Sequence, residues 1–141
     1  MNATERFPYD LRSVPAARHF LREQLSRFSP ETVEAAELML SELATNSIRH
    51  AHSGFEVSVR AGKEIRVEVT DVGAGQPRVL SPRPTDPSGR GLRIVEGLSE
   101  HWGVASRDSG KMVWFTLTPQ SPSSSESERR RGALRHSRLP A

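Results

Sequence analysis

No cysteine occurs among the 141 residues. Disulfides and thiolate metal centres are therefore excluded, and a reducing compartment is the matching expectation. No stretch approaches the roughly 18 consecutive apolar residues of a membrane span. The polar N-terminus, MNATERFPYDLRS, lacks the apolar heart of a secretory signal. These absences predict a soluble, cytoplasmic protein without membrane contact. The phosphate-loop pattern G-x-x-x-x-G-K-[ST] is missing. So is G-x-G-x-x-G, because the third glycine position after Gly73 and Gly75 is Arg78. The histidines (His19, His50, His52, His101 and His136) do not form H-E-x-x-H. His50 and His52, at a predicted helix end, read most simply as dipole compensation.

A basic fold is also missing. The net charge of +3 belongs to the last 22 residues, which hold five arginines and two glutamates. The preceding residues balance, so nucleic-acid binding by the folded part is not expected. The end, QSPSSSESERRRGALRHSRLPA, is rich in Ser, Pro and Arg and poor in apolar side chains. Such a composition cannot offset its ordering entropy. The reading is therefore a domain over residues 1–118 and a disordered basic tail over 119–141. Contact of that tail with an acidic partner or RNA would be an addition to the domain's own activity.

What is present is a sequence of periodic segments. Pro15 suits the first turn of a helix. Ala17, Phe20 or Leu21, Gln24 and Phe28 then recur at helical spacing, with Leu25 beside them. Ser29-Pro30-Glu31 reads as an N-cap, a first-turn proline and a first-turn acid, opening a long helix to about Ala51. On it Val33, Ala36, Leu40, Leu43, Ala44, Ser47 and Ala51 share one face, while Ala35, Leu38 and Met39 make the first half apolar on the other side too. Such a helix is expected to be buried between layers. Glu42 and Asn46 lie one turn apart on it, roughly opposite the main stripe. A carboxylate there needs a partner.

Phe55–Ala61 and Glu64–Asp71 alternate apolar and polar residues around Gly62-Lys63, which predicts a β-hairpin with Ile65, Val67 and Val69 facing inward. Residues 76–88 carry four prolines and read as a loop. A short helix over Gly91–Leu98 follows. HWGVAS and MVWFTLT then read as two strands, joined by a turn at Arg107-Asp108-Ser109-Gly110-Lys111. A further short strand near Phe7–Leu11 would add to these. Four strands in adjacent pairs with three helices predict an α+β, two-layer sandwich with a mainly antiparallel sheet.

Three segments offer chemistry. SELATNSIRHA carries Glu42 and Asn46. DVGAG places Asp71 at a strand end ahead of Gly73 and Gly75. SGRGL sets Gly89, Arg90, Gly91 and Leu92 at a helix start. A strand-end carboxylate can accept from an exocyclic amine, and the glycines let a flat base approach the main chain. N–H groups at a helix N-terminus suit phosphate oxygens. The amide oxygen of Asn46 suits Mg²⁺, which prefers oxygen donors and retains phosphates and waters. Glu42 is one turn away, where a general base could act. Each segment alone is a common turn, cap or polar pair. Their joint occurrence in this order is what points to a nucleotide.

The set ELATNSIRHA, DVGAG and GRGLRIV resembles the N, G1 and G2 boxes of the GHKL, or histidine kinase-like, ATPases. The short chain further resembles the bacterial anti-sigma-factor serine/threonine kinases, and the likeness extends over residues 5–118, including Trp102-Gly103 and the closing GKMVWFTL. The resemblance implies a Bergerat-type ATP-binding fold with ATP and Mg²⁺ as ligands. Asn46 would hold the metal, and Asp71 the adenine amine, with Gly73 and Gly75 shaping the pocket. Residues 76–88 would be a shortened lid, with Gly89, Arg90, Gly91 and Leu92 at the phosphates. Glu42 would take the proton from a serine on an anti-anti-sigma (STAS-domain) partner. A sigma factor would be the other partner, and a homodimer is compatible. The rival from another class is a nucleotide-binding regulatory module without phosphoryl transfer. A sensor histidine kinase fragment fits less well, since no pair of long dimerising helices is seen.

Overall fold

The computed structural model describes residues 2–71, 88–107 and 110–119; for residues 88–91 and 107 it describes the backbone alone. The strands are β1 (Asn2–Phe7), β2 (Phe55–Ala61), β3 (Ile65–Asp71), β4 (His101–Arg107) and β5 (Gly110–Leu117). The helices are α1 (Ser13–Gln24), α2 (Pro30–Asn46) and α3 (Ser88–Leu98). Among the described residues the strands form one sheet in the order β1-β2-β3-β5-β4, with every neighbouring pair antiparallel. The helices lie on one face: α1 against β1 and β2, α2 against β3 and β5, α3 against β4. This is the open α+β sandwich that the alternation predicts.

Strand period 2 fixes which face is covered. Val57, Val59, Ile65, Val67, Val69, Val113, Phe115 and Leu117 all point to the helices and are buried. They meet Ala17, Leu21, Leu25, Ala36, Met39, Leu40, Leu43 and Val95 from the helical layer. The other face is polar and partly open. There the Arg66 guanidinium lies 4.2 Å from the centre of the Trp114 ring, and that ring in turn covers Gly103, where a Cβ would collide with it.

The start of α2 is built as its sequence requires. The Ser29 Oγ accepts from the Thr32 N–H at 3.3 Å, and Pro30 and Glu31 fill the first turn. Helix α1 is tied to α2 by a bidentate ion pair, Arg22 to Glu37 at 2.8 and 2.9 Å.

Four details differ from the sequence reading. The first strand is Asn2–Phe7, upstream of the Phe7–Leu11 segment, because its pairing with β2 spans Asn2↔Arg60 to Phe7↔Phe55. The second helix does not run to Ala51 as an α-helix. It changes at Ser47 into a π-helical turn, Ser47–Ala51, closed by His52 at φ 51°. Helix α3 opens at Ser88, three residues before Gly91. Finally, α2 is not covered all round. Leu38 is 46% exposed and Glu42 is only partly buried, since α2 rests on the sheet with α1 and α3 to either side and nothing described above it. Glu42 thus does not need the buried partner that the sequence suggested. Residues 120–141 of the predicted tail lie outside the described residues.

Candidate functional site

The C-terminal end of α2 and the ends of β3 and β5 enclose a cavity of about 190 Å³. It is lined by Leu43, Asn46 and Ser47 from α2 and its π-turn, Val69 and Asp71 from β3, Leu92 from α3, Val104 from β4, and Lys111 and Val113 from β5. The volume is below the roughly 300 Å³ of a pocket for a whole small ligand. The described walls therefore suit a flat base more than a complete nucleotide.

Each wall follows from local structure. Leu43, Asn46 and Ser47 are spaced i, i+3 and i+4, so one helical face presents all three. The sheet register puts Val69 beside Val113, and Val113 beside Val104. These three valines make a flat apolar floor. Val104 remains 53% exposed, although it belongs to this floor. Next along β3 on the same face comes Asp71, 8% exposed at the strand's end. Its Oδ1 accepts from the Ser47 hydroxyl at 2.7 Å. The Ser47 Oγ also approaches the Leu43 carbonyl at 3.4 Å. A buried carboxylate is costly unless hydrogen-bonded, and Ser47 supplies that bond while leaving the second carboxylate oxygen for another donor.

The cavity therefore has an apolar floor, one anchored carboxylate, one amide and one ammonium. A planar ligand with an amine on its edge matches the floor and the carboxylate. Asn46 offers a neutral oxygen at the same cavity. Among the described residues no cluster of three His, Cys, Asp or Glu side chains could hold a metal. A hard cation at Asn46 would thus take most of its ligands from phosphates and water, which suits Mg²⁺. The first turn of α3, formed by Ser88, Gly89, Arg90 and Gly91, runs directly into Leu92 at the cavity wall. The first N–H groups of a helix have no acceptor within it, and they are the part of a helix that receives anions.

Of the residues singled out in the sequence, Asn46, Asp71 and Leu92 line one cavity. Gly89, Arg90 and Gly91 are in the adjoining helical turn. Gly73 and Gly75 lie outside the described residues. Glu42 is not among the lining residues; it sits one turn before Asn46 and is partly exposed. Two polar members were missed. In the sequence Ser47 falls on the apolar stripe of α2, and Lys111 falls in the predicted hairpin turn. Alternation inward from Leu117 through Phe115 and Val113 reaches Lys111, which was the signal available for it.

The sequence profile of the histidine kinase-like ATPase domain matches residues 7–117. The chain belongs to this family. The match spans all three helices and all but the first residues of the sheet, so this histidine kinase-like ATPase domain coincides with the described fold. Among solved structures, the fold is similar to the RsbU and RsbW domains of a Mycobacterium tuberculosis protein, with a TM-score of 0.68 and 18% identity over 86% of this chain and 33% of that one. A second, looser likeness is to the histidine kinase domain of a blue-light-activated histidine kinase from Erythrobacter litoralis, with a TM-score of 0.47 and 23% identity over 79% of this chain and 61% of that one. The chain thus spans a third of the first of these and three-fifths of the second. No curated protein sequence is similar enough to count as a relative. No helix among the described residues is long and apolar enough to cross a membrane.

Proposed function

We propose that the cavity between α2, β3 and β5 binds ATP with Mg²⁺, and that the domain is a serine kinase of the anti-sigma-factor type. Its substrate would be a serine on an anti-anti-sigma (STAS-domain) partner in the cytoplasm. One observation carries the nucleotide reading: three segments far apart in sequence, around Asn46, Asp71 and Leu92, supply the walls of a single cavity. Membership of the histidine kinase-like ATPase family supports the same ligand.

In this reading Asp71, held by Ser47, accepts from the adenine amine. Val69, Val113 and Val104 support the flat face of the base. The amide oxygen of Asn46 holds Mg²⁺, which neutralises phosphate charge when bound. The opening N–H groups of α3 receive phosphate oxygens. Glu42 takes the proton from the partner's serine hydroxyl. The serine oxygen then bonds to the γ-phosphorus as the bond to the β-phosphate oxygen breaks, and ADP leaves. Such a transfer needs mainly positioning and charge neutralisation. Phosphorylation of the anti-anti-sigma partner would leave the kinase free to bind a sigma factor.

A second reading is favoured by the position of Glu42, outside the cavity lining and partly open to solvent. It is a nucleotide-binding regulatory module that transfers no phosphoryl group. Transfer of labelled phosphate from ATP to a STAS-domain serine separates the two. The kinase reading expects transfer by the wild type and its loss in Glu42→Gln, with ATP affinity retained. Wild-type protein that binds ATP but phosphorylates no cognate partner would establish the binder instead.

A further inference from the structure

Lys111 was not expected in the cavity, yet it lines it together with Asp71. The antiparallel ladder between β3 and β5 runs from Ile65↔Leu117 to Thr70↔Met112. Past that last pair, Asp71 and Lys111 both reach the same cavity. The strands are still in close contact there, because a Cβ on Gly110 would lie only 2.8 Å from the Asp71 carbonyl oxygen and 3.1 Å from its Cβ. A carboxylate and an ammonium thus line one cavity together with Val69, Val113 and Val104.

The two groups differ in their freedom. Asp71 is buried and has one oxygen fixed by Ser47. Lys111 is exposed at the cavity mouth, on a long stem with three rotatable donors. A base lying on the valine floor with its amine at Asp71 would present its flanking ring nitrogen to the neighbouring strand. That nitrogen is an acceptor, and Lys111 is the donor beside it.

Resting on the ATP reading above, we infer that Lys111 is a second base-reading residue: its ammonium donates to the ring nitrogen, N1 or N7, that flanks the adenine amine held by Asp71. The pair then offers an acceptor and a donor in fixed order. Guanine carries a carbonyl where adenine carries the amine, which turns an acceptor toward Asp71.

Calorimetric titration of the full chain with adenosine, ATP, 1-deazaadenosine and 7-deazaadenosine tests this, using wild type, Lys111→Met and Lys111→Arg. Methionine keeps the stem and removes the donor; arginine restores a donor. Lys111→Met is expected to weaken adenosine and ATP by the same factor, roughly tenfold, as for loss of one hydrogen bond from a charged donor. Wild type is expected to discriminate against one of the two deaza analogues by a similar factor. That discrimination should vanish in Lys111→Met and return in Lys111→Arg. A loss confined to ATP would assign the ammonium to phosphate and overturn the inference, as would undiminished deaza discrimination in Lys111→Met. Failure of the parent reading looks different: wild type would bind neither adenosine nor ATP.

Discussion

Asp71 and Ser47 show how one hydrogen bond serves both the fold and the ligand. The bond is 2.7 Å long and both residues are buried. Ser47→Ala strips the donor and leaves a buried carboxylate oxygen without it. The expected cost is about 1–3 kcal/mol of folding stability, measurable by urea unfolding. Asp71→Asn is a different change. The amide keeps one acceptor, which Ser47 can still use, so the fold should survive with little loss. That acceptor is then engaged, and the group facing the ligand becomes an N–H₂. We expect ATP affinity to fall by at least tenfold in Asp71→Asn while the unfolding midpoint stays near that of the wild type. Unchanged affinity in a calorimetric titration would remove adenine from this end of the cavity.

At the scale of elements, the Arg22–Glu37 pair bridges α1 and α2 beside their shared apolar core. The guanidinium donates twice to Glu37 and holds its carboxyl below the ordinary value of 4.5, against the opposing effect of partial burial. A carboxyl with a lowered folded-state pKa contributes stability that is complete above 4.5 and fades as the pH falls through the folded value. Glu37→Gln should therefore lower the thermal midpoint at pH 7 and change it little near pH 2; equal effects at both would rule out the ion pair as the cause. The Arg22–Glu37 pairing was not legible in the sequence, since it joins residues on two helices whose relative rotation depends on packing. The elements themselves were legible where a local rule is strong. Ser29-Pro30-Glu31 announced the start of α2, and alternation in Phe55–Ala61 and Ile65–Asp71 announced a half-buried hairpin. The π-turn at Ser47–Ala51 was not, because a change from i→i+4 to i→i+5 bonding leaves hydrophobic spacing almost unaltered over one turn. Strand β1 was displaced for a related reason. Asn2–Phe7 has little apolar alternation and is a strand through its pairing with β2.

At the scale of the whole molecule, the candidate site is where the chain's order in sequence and in space diverge most. Asn46, Asp71, Leu92 and Lys111 come from four elements, and the strand order β3-β5-β4 brings the last strand between two earlier ones. The order of motifs indicated a shared ligand, but only the crossover shows why Lys111 shares a cavity with Asp71. It also makes the cavity a junction: a ligand there would bridge the helical layer, through Leu43, Asn46 and Leu92, to the sheet, through Val69, Val104 and Val113. Anything that binds the folded state and not the unfolded chain stabilises it by mass action, about 2.7 kcal/mol at a hundredfold excess over Kd. For a domain of this size that corresponds to a rise of roughly 10 °C in thermal midpoint. We expect that rise with Mg²⁺-ATP for wild type and for Glu42→Gln, whose side chain lies outside the cavity lining, and a much smaller one for Asp71→Asn at the same concentration. The comparison separates holding the nucleotide from using it. Should the rise be equally reduced in Glu42→Gln, that carboxylate would belong to the binding surface, and its proposed part in proton transfer would have to be given up.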